Sequence, residues 1–158
     1  MQSLGCEFID EIFHRKQHMG LFFRKNTNIC NINKLNFKLF YKNIYTLFQE
    51  NIRKLNNLLH DYKNIAIYGS GAHGNTIITF IDNSEKIKKC FDLDIRKQGM
   101  YLQNSSIMIQ DPNIENFKNL EAIIIAAPLY EEEIIKSLRE KGYKGDIIAT
   151  EKNILLQK

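Results

Sequence analysis

Residues 65–81 read IAIYGSGAHGNTIITFI, and this stretch decides the fold that the sequence predicts. A short apolar run suggests a buried strand, and the residues after Gly74 have the spacing of a helix. Between them, Gly69, Gly71 and Gly74 form a G-x-G-x-x-G pattern. A strand, a glycine turn and a helix in this order are typical of nucleotide-binding α/β folds. The stretch therefore predicts a β-turn-α unit.

Each glycine of the pattern has a physical role in such a fold. The first permits the sharp turn, the second leaves room for a pyrophosphate, and the third lets the helix pack against the strand. Unpaired amides at the helix start then face the anion. An acid about 20 residues further on, Asp92 or Asp94, stands where a carboxylate can take a ribose hydroxyl. The same glycines would also serve chain geometry alone, and the pattern leaves both interpretations open.

Strand and helix signals alternate through the rest of the C-terminal part. Strands are predicted at 88–94, 106–112, 121–128 and 146–150, the last closing the sheet, and helices at 75–87 and 130–143. The isoleucines of EAIIIAAP suit a parallel strand buried on both faces. Acids begin the helix at 130–143, and Gly142 ends it. The alternation predicts an α/β fold with a small, Rossmann-like, doubly wound and mainly parallel sheet.

Two further elements are predicted before this sheet. The β-prone runs EFIDEIF and LFFRK favour a β-hairpin, which would be marginal without a supporting surface. Apolar residues at three- and four-residue steps over 34–62 predict a long amphipathic helix packed on the following domain. The sequence thus divides into a hairpin region at 1–33, a connector helix at 34–63 and a Rossmann-like domain at 64–158.

Composition excludes several classes of protein. The net charge of +4 comes from scattered lysines and not from a basic stripe, so no nucleic-acid partner is expected. Three dispersed cysteines without a CxxC pair suit a reducing cytoplasm. No membrane contact is expected, because no apolar run approaches the roughly 18 residues of a span. Cys6, His14 and His18 lack the spacing of a metal site.

No catalytic residue can be assigned from these patterns. Glu131, Glu132 and Glu133 point in different directions on a helix, and the helix dipole explains acids in a first turn. No Ser/His/Asp or Cys/His arrangement for nucleophilic catalysis can be assembled. His73 lies inside the glycine turn, where it could bond a phosphate or a sugar hydroxyl, or simply be solvated.

Three segments together resemble the C-terminal domain of the sugar C-methyltransferase family. The matching residues are Ala72, His73, Gly74 and Asn75 in the turn; Asp92; Lys97, Gln98 and Gly99; residues 107–109 with Pro112; and Glu133 with Ile134. The Lys97-Gln98-Gly99 segment is the most specific part of this resemblance. His73 stands where the family usually has a lysine. Residues 5–25 are similar, more loosely and through His18 and Gly20, to the last hairpin of the family's methyltransferase domain.

The resemblance implies a role on the substrate side of a C-methyl transfer. Family members use S-adenosylmethionine to methylate a carbon of a nucleotide-linked deoxysugar. The implied substrate-binding residues are Gly69, Ser70, Gly71, Ala72, His73, Gly74, Asn75, Asp92, Lys97 and Gln98. A full-length member also has a zinc-binding domain and a methyltransferase domain with a Tyr/Glu/His cluster, which no position here matches. The chain is therefore expected to bind no S-adenosylmethionine and not to be catalytically competent alone.

The expected partners are a nucleotide-linked sugar and, where the domains are encoded separately, a methyltransferase chain. Two alternatives stay open. The chain could be a stand-alone module for NAD or another nucleotide, with NADP disfavoured because Asp92 would repel a 2′-phosphate. It could also be a non-catalytic interaction domain whose hairpin and helix dock on another protein.

Overall fold

The computed structural model describes the backbone of residues 6–14, 18–25, 34–150 and 155–157, and the side chains of residues 42–150. The chain divides into two units, residues 1–46 and residues 47–158. The division falls inside the long helix. The domain boundaries at 33 and 63 stay predictions.

The first unit contains the predicted hairpin. Strand β1 (Cys6–His14) pairs antiparallel with β2 (His18–Lys25), and its register is irregular between Phe8 and Asp10. Helix α1 (Lys34–Leu59) begins in this unit and continues into the second. Both elements that the sequence predicts before the sheet are therefore confirmed.

The second unit is built on one six-stranded sheet. Its strands are β3 (Ile65–Tyr68), β4 (Ile87–Phe91), β5 (Ile109–Gln110), β6 (Ala122–Ile125), β7 (Asp146–Ala149) and β8 (Leu155–Gln157). They lie in the order β5-β4-β3-β6-β7-β8, and all pair in parallel except β8, which is antiparallel to β7. Two helices accompany them, α2 (Ala72–Phe80) and α3 (Glu131–Glu140). The predicted Rossmann-like α/β class is confirmed.

Three details differ from the sequence prediction. Strand β8 follows β7, so 146–150 is not the last strand of the sheet. The run 106–112 contributes a ladder of only two residues, Ile109–Gln110. Pro112, two residues further on, has no N–H with which to extend the strand. Helix α2 ends at Phe80, and the chain turns extended at Ile81, whose side chain is buried in the core. Helix α3 ends, as predicted, just before Gly142.

Apolar layers cover both faces of the sheet. On one face Leu55 and Leu59 of α1 and Ile77 of α2 belong to the buried cluster of Ile65, Ile67 and Ile124. On the other face Ile134 and Leu138 of α3 pack with Phe91, Phe117 and Tyr143. Every residue of β6 is buried, as predicted for a central parallel strand. When helices cover both faces of such a sheet, a ligand binds outside the carboxyl ends of the strands.

Alkaline pH is expected to destabilise the second unit through Tyr62. Its hydroxyl donates to Asp146 Oδ2 at 2.5 Å. Burial, and then this hydrogen bond, raise the pKa of Tyr62 from 10.0 to about 12. Above pH 10 the unfolded chain therefore loses a proton that the folded chain keeps, and the free energy of unfolding falls as pH rises towards 12. Urea unfolding measured below and above pH 10 should show this fall in the free energy of unfolding. In Tyr62→Phe the fall should be shallower. An equal dependence of the unfolding free energy on pH in the two proteins would contradict the assignment to Tyr62.

Candidate functional site

The glycine turn lies at the carboxyl end of β3, and two of its glycines are required by packing. Gly69 has φ +112°, and a Cβ there would lie 3.0 Å from the carbonyl oxygen of Ala126. A Cβ on Gly74 would lie 2.1 Å from the carbonyl oxygen of Gly69. The first and third glycines thus set the turn and the close approach of α2, in the roles that the sequence suggests.

Gly71 is different, because none of the described residues crowds it. A Cβ built there meets no heavy atom of that part of the chain within 4 Å. Its φ of −81° is open to any residue, so backbone conformation does not require glycine. The space beside Gly71 is the space that the sequence analysis assigned to an approaching pyrophosphate.

The start of α2 presents unpaired amides to this space. The first hydrogen bond of the helix runs from the Asn75 amide to the Gly71 carbonyl at 3.1 Å. The four amides before Asn75, those of Gly71, Ala72, His73 and Gly74, therefore have no partner inside the helix. Gly71 is the N-cap and provides no side-chain cap. Free amides and the positive end of the helix dipole favour an anion here.

Asp92, directly after β4, is the polar centre of the site. Its Oδ2 accepts from the Ser70 amide (3.1 Å), the Ser70 hydroxyl (2.5 Å) and Lys97 Nζ (2.9 Å). Its Oδ1 accepts from the Asp94 amide at 2.9 Å. Burial alone would raise the pKa of this carboxyl, but the bonds from Ser70, Asp94 and Lys97 outweigh it and hold the pKa below its usual range. Asp92 is therefore an anion at neutral pH.

The Lys97-Gln98-Gly99 segment folds back over the end of β4. Gln98 Nε2 donates to the carbonyl of Asp92 at 3.0 Å, and Gly99 with φ +82° donates its amide to Ile109 at 2.8 Å. The Lys97 side chain is 41% exposed and shares Asp92 Oδ2 with Ser70. This loop therefore holds an ammonium group beside the glycine turn and open to solvent.

The second acid after β4 is also occupied. Asp94 accepts from Arg96 Nε at 2.9 Å and from Arg96 Nη2 at 2.8 Å. Its hydrogen bonds with Arg96 lower the pKa of Asp94 to about 2. Sequence reasoning did not single out Arg96, although an acid and an arginine two residues apart in a turn are a signal for such a pair.

The structure brings together most of the residues predicted for the site. These residues are the glycine turn, Asp92, Lys97 and Gln98. They meet at what we call the carboxyl edge of the sheet, where its parallel strands end, next to the point between β3 and β6 at which the strand order reverses. In open α/β sheets ligands bind at this point. Ala72 and His73 are exposed in the first turn of α2, and the predicted role of His73 stays a prediction.

Among the residues that the structure describes at this edge, two side-chain oxygens are buried without a donor. One is Asn75 Oδ1, in the predicted set, and the other is Gln110 Oε1, which the sequence analysis missed. Gln110 ends β5, and its carbonyl accepts the Asp92 amide at 3.3 Å. Only its position at a strand's carboxyl end could have indicated it.

A cavity of about 610 Å³ lies at the opposite edge of the sheet, where the parallel strands begin. Its lining includes Glu121, which precedes β6, and Asp146, the first residue of β7. Two acids of its lining, Glu121 and Asp146, already accept hydrogen bonds from the chain. Glu121 accepts the amides of Lys63 and Asn64, and Asp146 accepts the Tyr62 hydroxyl. We therefore place the candidate site at the carboxyl edge and not in this cavity.

The described residues contain neither a metal cluster nor a membrane-spanning helix. No group of three His, Cys, Asp or Glu side chains among them converges to hold a metal ion. Within the same residues, no helix has both the length and the apolar character needed to cross a bilayer.

Comparison with known proteins identifies a family and solved structures of similar fold. The family model described as the C-methyltransferase C-terminal domain matches residues 14–150. No curated protein matches the chain. A solved structure, the crystal structure of RSP in complex with beta-NADH, is similar with 20% identity and a TM-score of 0.45. That match covers 61% of this chain and 50% of the other, so the chain spans half the length of that protein.

Proposed function

The chain belongs to the C-methyltransferase C-terminal domain family, and from this premise we propose that it binds the diphosphate of a nucleotide-linked sugar at the start of α2. The bound sugar is the acceptor of a C-methyl transfer. The chain's part is to hold this substrate, and the methyl donor, S-adenosylmethionine, binds to another domain or to a separate methyltransferase chain. By itself the chain does not transfer the methyl group.

One observation carries this proposal: unpaired amides and open space coincide at Gly71. The amides before Asn75 have no partner in the helix, and nothing within 4 Å would meet a Cβ at Gly71. A diphosphate can therefore come within hydrogen-bond distance of the backbone, which a side chain at this position would prevent. The other two glycines are explained by packing, whereas Gly71 is explained by a ligand.

Lys97 supplies the positive charge that a diphosphate needs. Because this chain has His73 where the family usually has a lysine, the charge pairing proposed here rests on Lys97, which belongs to the family's Lys-Gln-Gly segment. Its ammonium group donates to Asp92 Oδ2, which also accepts from Ser70, the residue just before the N-cap of α2. Because Lys97 is 41% exposed, it can contact a phosphate without first leaving the core. Charge-assisted bonds from lysine to phosphate are among the stronger polar contacts.

Gly71→Ala is expected to weaken binding of a thymidine diphosphate sugar by about tenfold, equivalent to about 1.4 kcal/mol. The added methyl group occupies the space through which the diphosphate approaches. Stability should change by less than about 1 kcal/mol, since the methyl group meets no heavy atom of the described residues within 4 Å and φ is −81°. Isothermal titration calorimetry of the whole chain, with thymidine- and guanosine-diphosphate sugars as ligands, measures the affinity.

A charge-matched pair completes this experiment. Lys97→Met should weaken binding and flatten its dependence on salt, because one ion pair with the phosphate is lost. Lys144→Met changes the net charge equally, but Lys144 lies just before β7, at the opposite edge of the sheet, and the variant should bind like the wild type. Wild-type chain that gives no heat with either class of sugar nucleotide would refute the proposed function.

A further inference from the structure

Asp92 has too little hydrogen-bonding capacity left to accept both hydroxyls of a ribose. An ionised carboxylate offers about four lone-pair positions, two on each oxygen. Three donors already crowd Oδ2, the Ser70 amide, the Ser70 hydroxyl and Lys97 Nζ, and the Asp94 amide takes one of the two positions on Oδ1. A ribose that donated two hydroxyls to Asp92 would have to displace at least one of these groups.

The neighbouring acid, Asp94, has three of its roughly four acceptor positions filled as well. Both oxygens of Asp94 are engaged by the guanidinium of Arg96, and Oδ1 also accepts the Arg96 amide at 3.1 Å. The end of β4 is where a dinucleotide-binding fold recognises the ribose. Both acids at that position are therefore committed to the protein's own donors.

The four donors of Asp92 also show what the residue does instead. Ser70 belongs to the turn between β3 and α2, whereas Lys97 belongs to the loop after β4. The two residues meet on a single oxygen of Asp92, so this carboxylate connects two loops that come from neighbouring strands. The connection places a cation beside the open start of α2 before any ligand arrives.

We propose that Asp92 is a positioning residue, which ties Ser70 to Lys97, and that the site consequently takes a diphosphate without recognising a ribose at Asp92. This inference rests on the proposed function and narrows it. The ligand class is a nucleoside diphosphate held by its phosphates, and a dinucleotide that needs both ribose hydroxyls on Asp92 is excluded.

The first test crosses a change in the ligand with a change in the protein. Uridine diphosphate and its 2′,3′-dideoxy analogue are titrated into the wild type and into Asp92→Asn. We expect the two ligands to differ by less than about threefold in the wild type, and both to weaken by the same factor of about 10 in Asp92→Asn, because Asn replaces one acceptor oxygen by a donor. A preference for the diol of about tenfold or more that disappears in Asp92→Asn would overturn the proposal.

The second test needs no ligand and separates this inference from the proposed function. Amide exchange at Ser70, measured by NMR, should be at least about tenfold faster in Asp92→Asn than in the wild type, because the carboxylate no longer accepts that amide. Asp94→Asn is the matched control and should leave Ser70 unchanged. If no diphosphate binds the wild type but Ser70 exchange depends on Asp92, the proposed function is refuted and the positioning role of Asp92 is supported. If Ser70 exchange does not change in Asp92→Asn, the positioning role is refuted, whether or not a diphosphate binds.

Two further titrations, one with the variant Ser70→Ala and one with NADH, complete the test. Should Asp92→Asn not fold, Ser70→Ala removes one donor without altering the carboxylate, and it should weaken both uridine ligands equally; a loss confined to the diol ligand would overturn the proposal. NADH titrated into the wild type should give no saturable heat. NADH binding that Asp92→Asn abolishes would show that Asp92 does take a ribose, and would overturn it as well.

Discussion

Replacing Gly74 by alanine is expected to lower the free energy of unfolding by about 3 kcal/mol, at the upper end of the cost of overpacking. The new Cβ would lie 2.1 Å from the carbonyl oxygen of Gly69. Gly69 cannot shift freely, because its amide donates to the Phe91 carbonyl at 2.8 Å and the position of a Cβ on Gly69 lies only 3.0 Å from the Ala126 carbonyl oxygen. Either the turn or the helix must shift. Urea unfolding of the whole chain, followed by far-UV circular dichroism, measures the change.

Gly71→Ala is the matched control for this prediction. It introduces the same methyl group three residues earlier, where no heavy atom lies within 4 Å. The two variants should therefore separate stability from binding: Gly74→Ala loses stability, whereas Gly71→Ala keeps stability and loses affinity for the diphosphate. Similar unfolding midpoints for the two variants would show that the close approach of α2 to the turn is not what Gly74 provides.

The parts of the fold that the sequence predicts are those governed by short-range rules. A glycine needed at a strand-to-helix turn appears in the sequence, and the observed contacts of Gly69 and Gly74 explain why. The continuous isoleucine run at 123–125 indicated burial on both faces, and β6 is buried throughout. Helix α3 follows from its first-turn acids and from the glycine at its end.

Elements that depend on distant partners escaped prediction. Strand β8 is three residues long, too short for a periodic pattern, and it exists by pairing with β7. Helix α2 stops at Phe80 although its apolar spacing continues, because Ile81 enters the core in an extended conformation. In both cases tertiary packing decides a boundary that local preference leaves undecided.

In the candidate site, too, local sequence patterns predicted some residues, whereas contacts between distant residues escaped prediction. The glycine turn and an acid after β4 could be derived from spacing, but Lys97 and Gln98 entered through a family resemblance alone. The contact of Lys97 with Asp92, and of Asp92 with Ser70 22 residues earlier, arises because β3 and β4 are neighbours in the sheet. Spacing suggested Asp92 as a ligand for ribose; it could not reveal that the chain already supplies the carboxylate with four donors.

The largest loss of stability is expected from Phe91→Ala, at about 4 kcal/mol, in the range for a fully buried aromatic residue. Phe91 is completely buried at the end of β4. Its ring lies 5.4 Å from that of Phe117 and 6.3 Å from that of Tyr68, measured between centroids. Truncation leaves a cavity in the layer beneath α3. Denaturant unfolding at 25 °C should show the loss, and Phe91→Leu, which fills most of the space, should lose about 1 kcal/mol.

The same residue connects the core to the site. The Phe91 carbonyl accepts the Gly69 amide, and the next residue is Asp92, so the backbone at this point belongs to both. In Phe91→Leu the backbone bond is retained and only packing is altered. The folded variant should therefore bind a thymidine diphosphate sugar as tightly as the wild type, despite its lower unfolding midpoint. Weaker binding by Phe91→Leu under conditions where it is fully folded would mean that core packing, and not the bonds to Asp92, positions the turn.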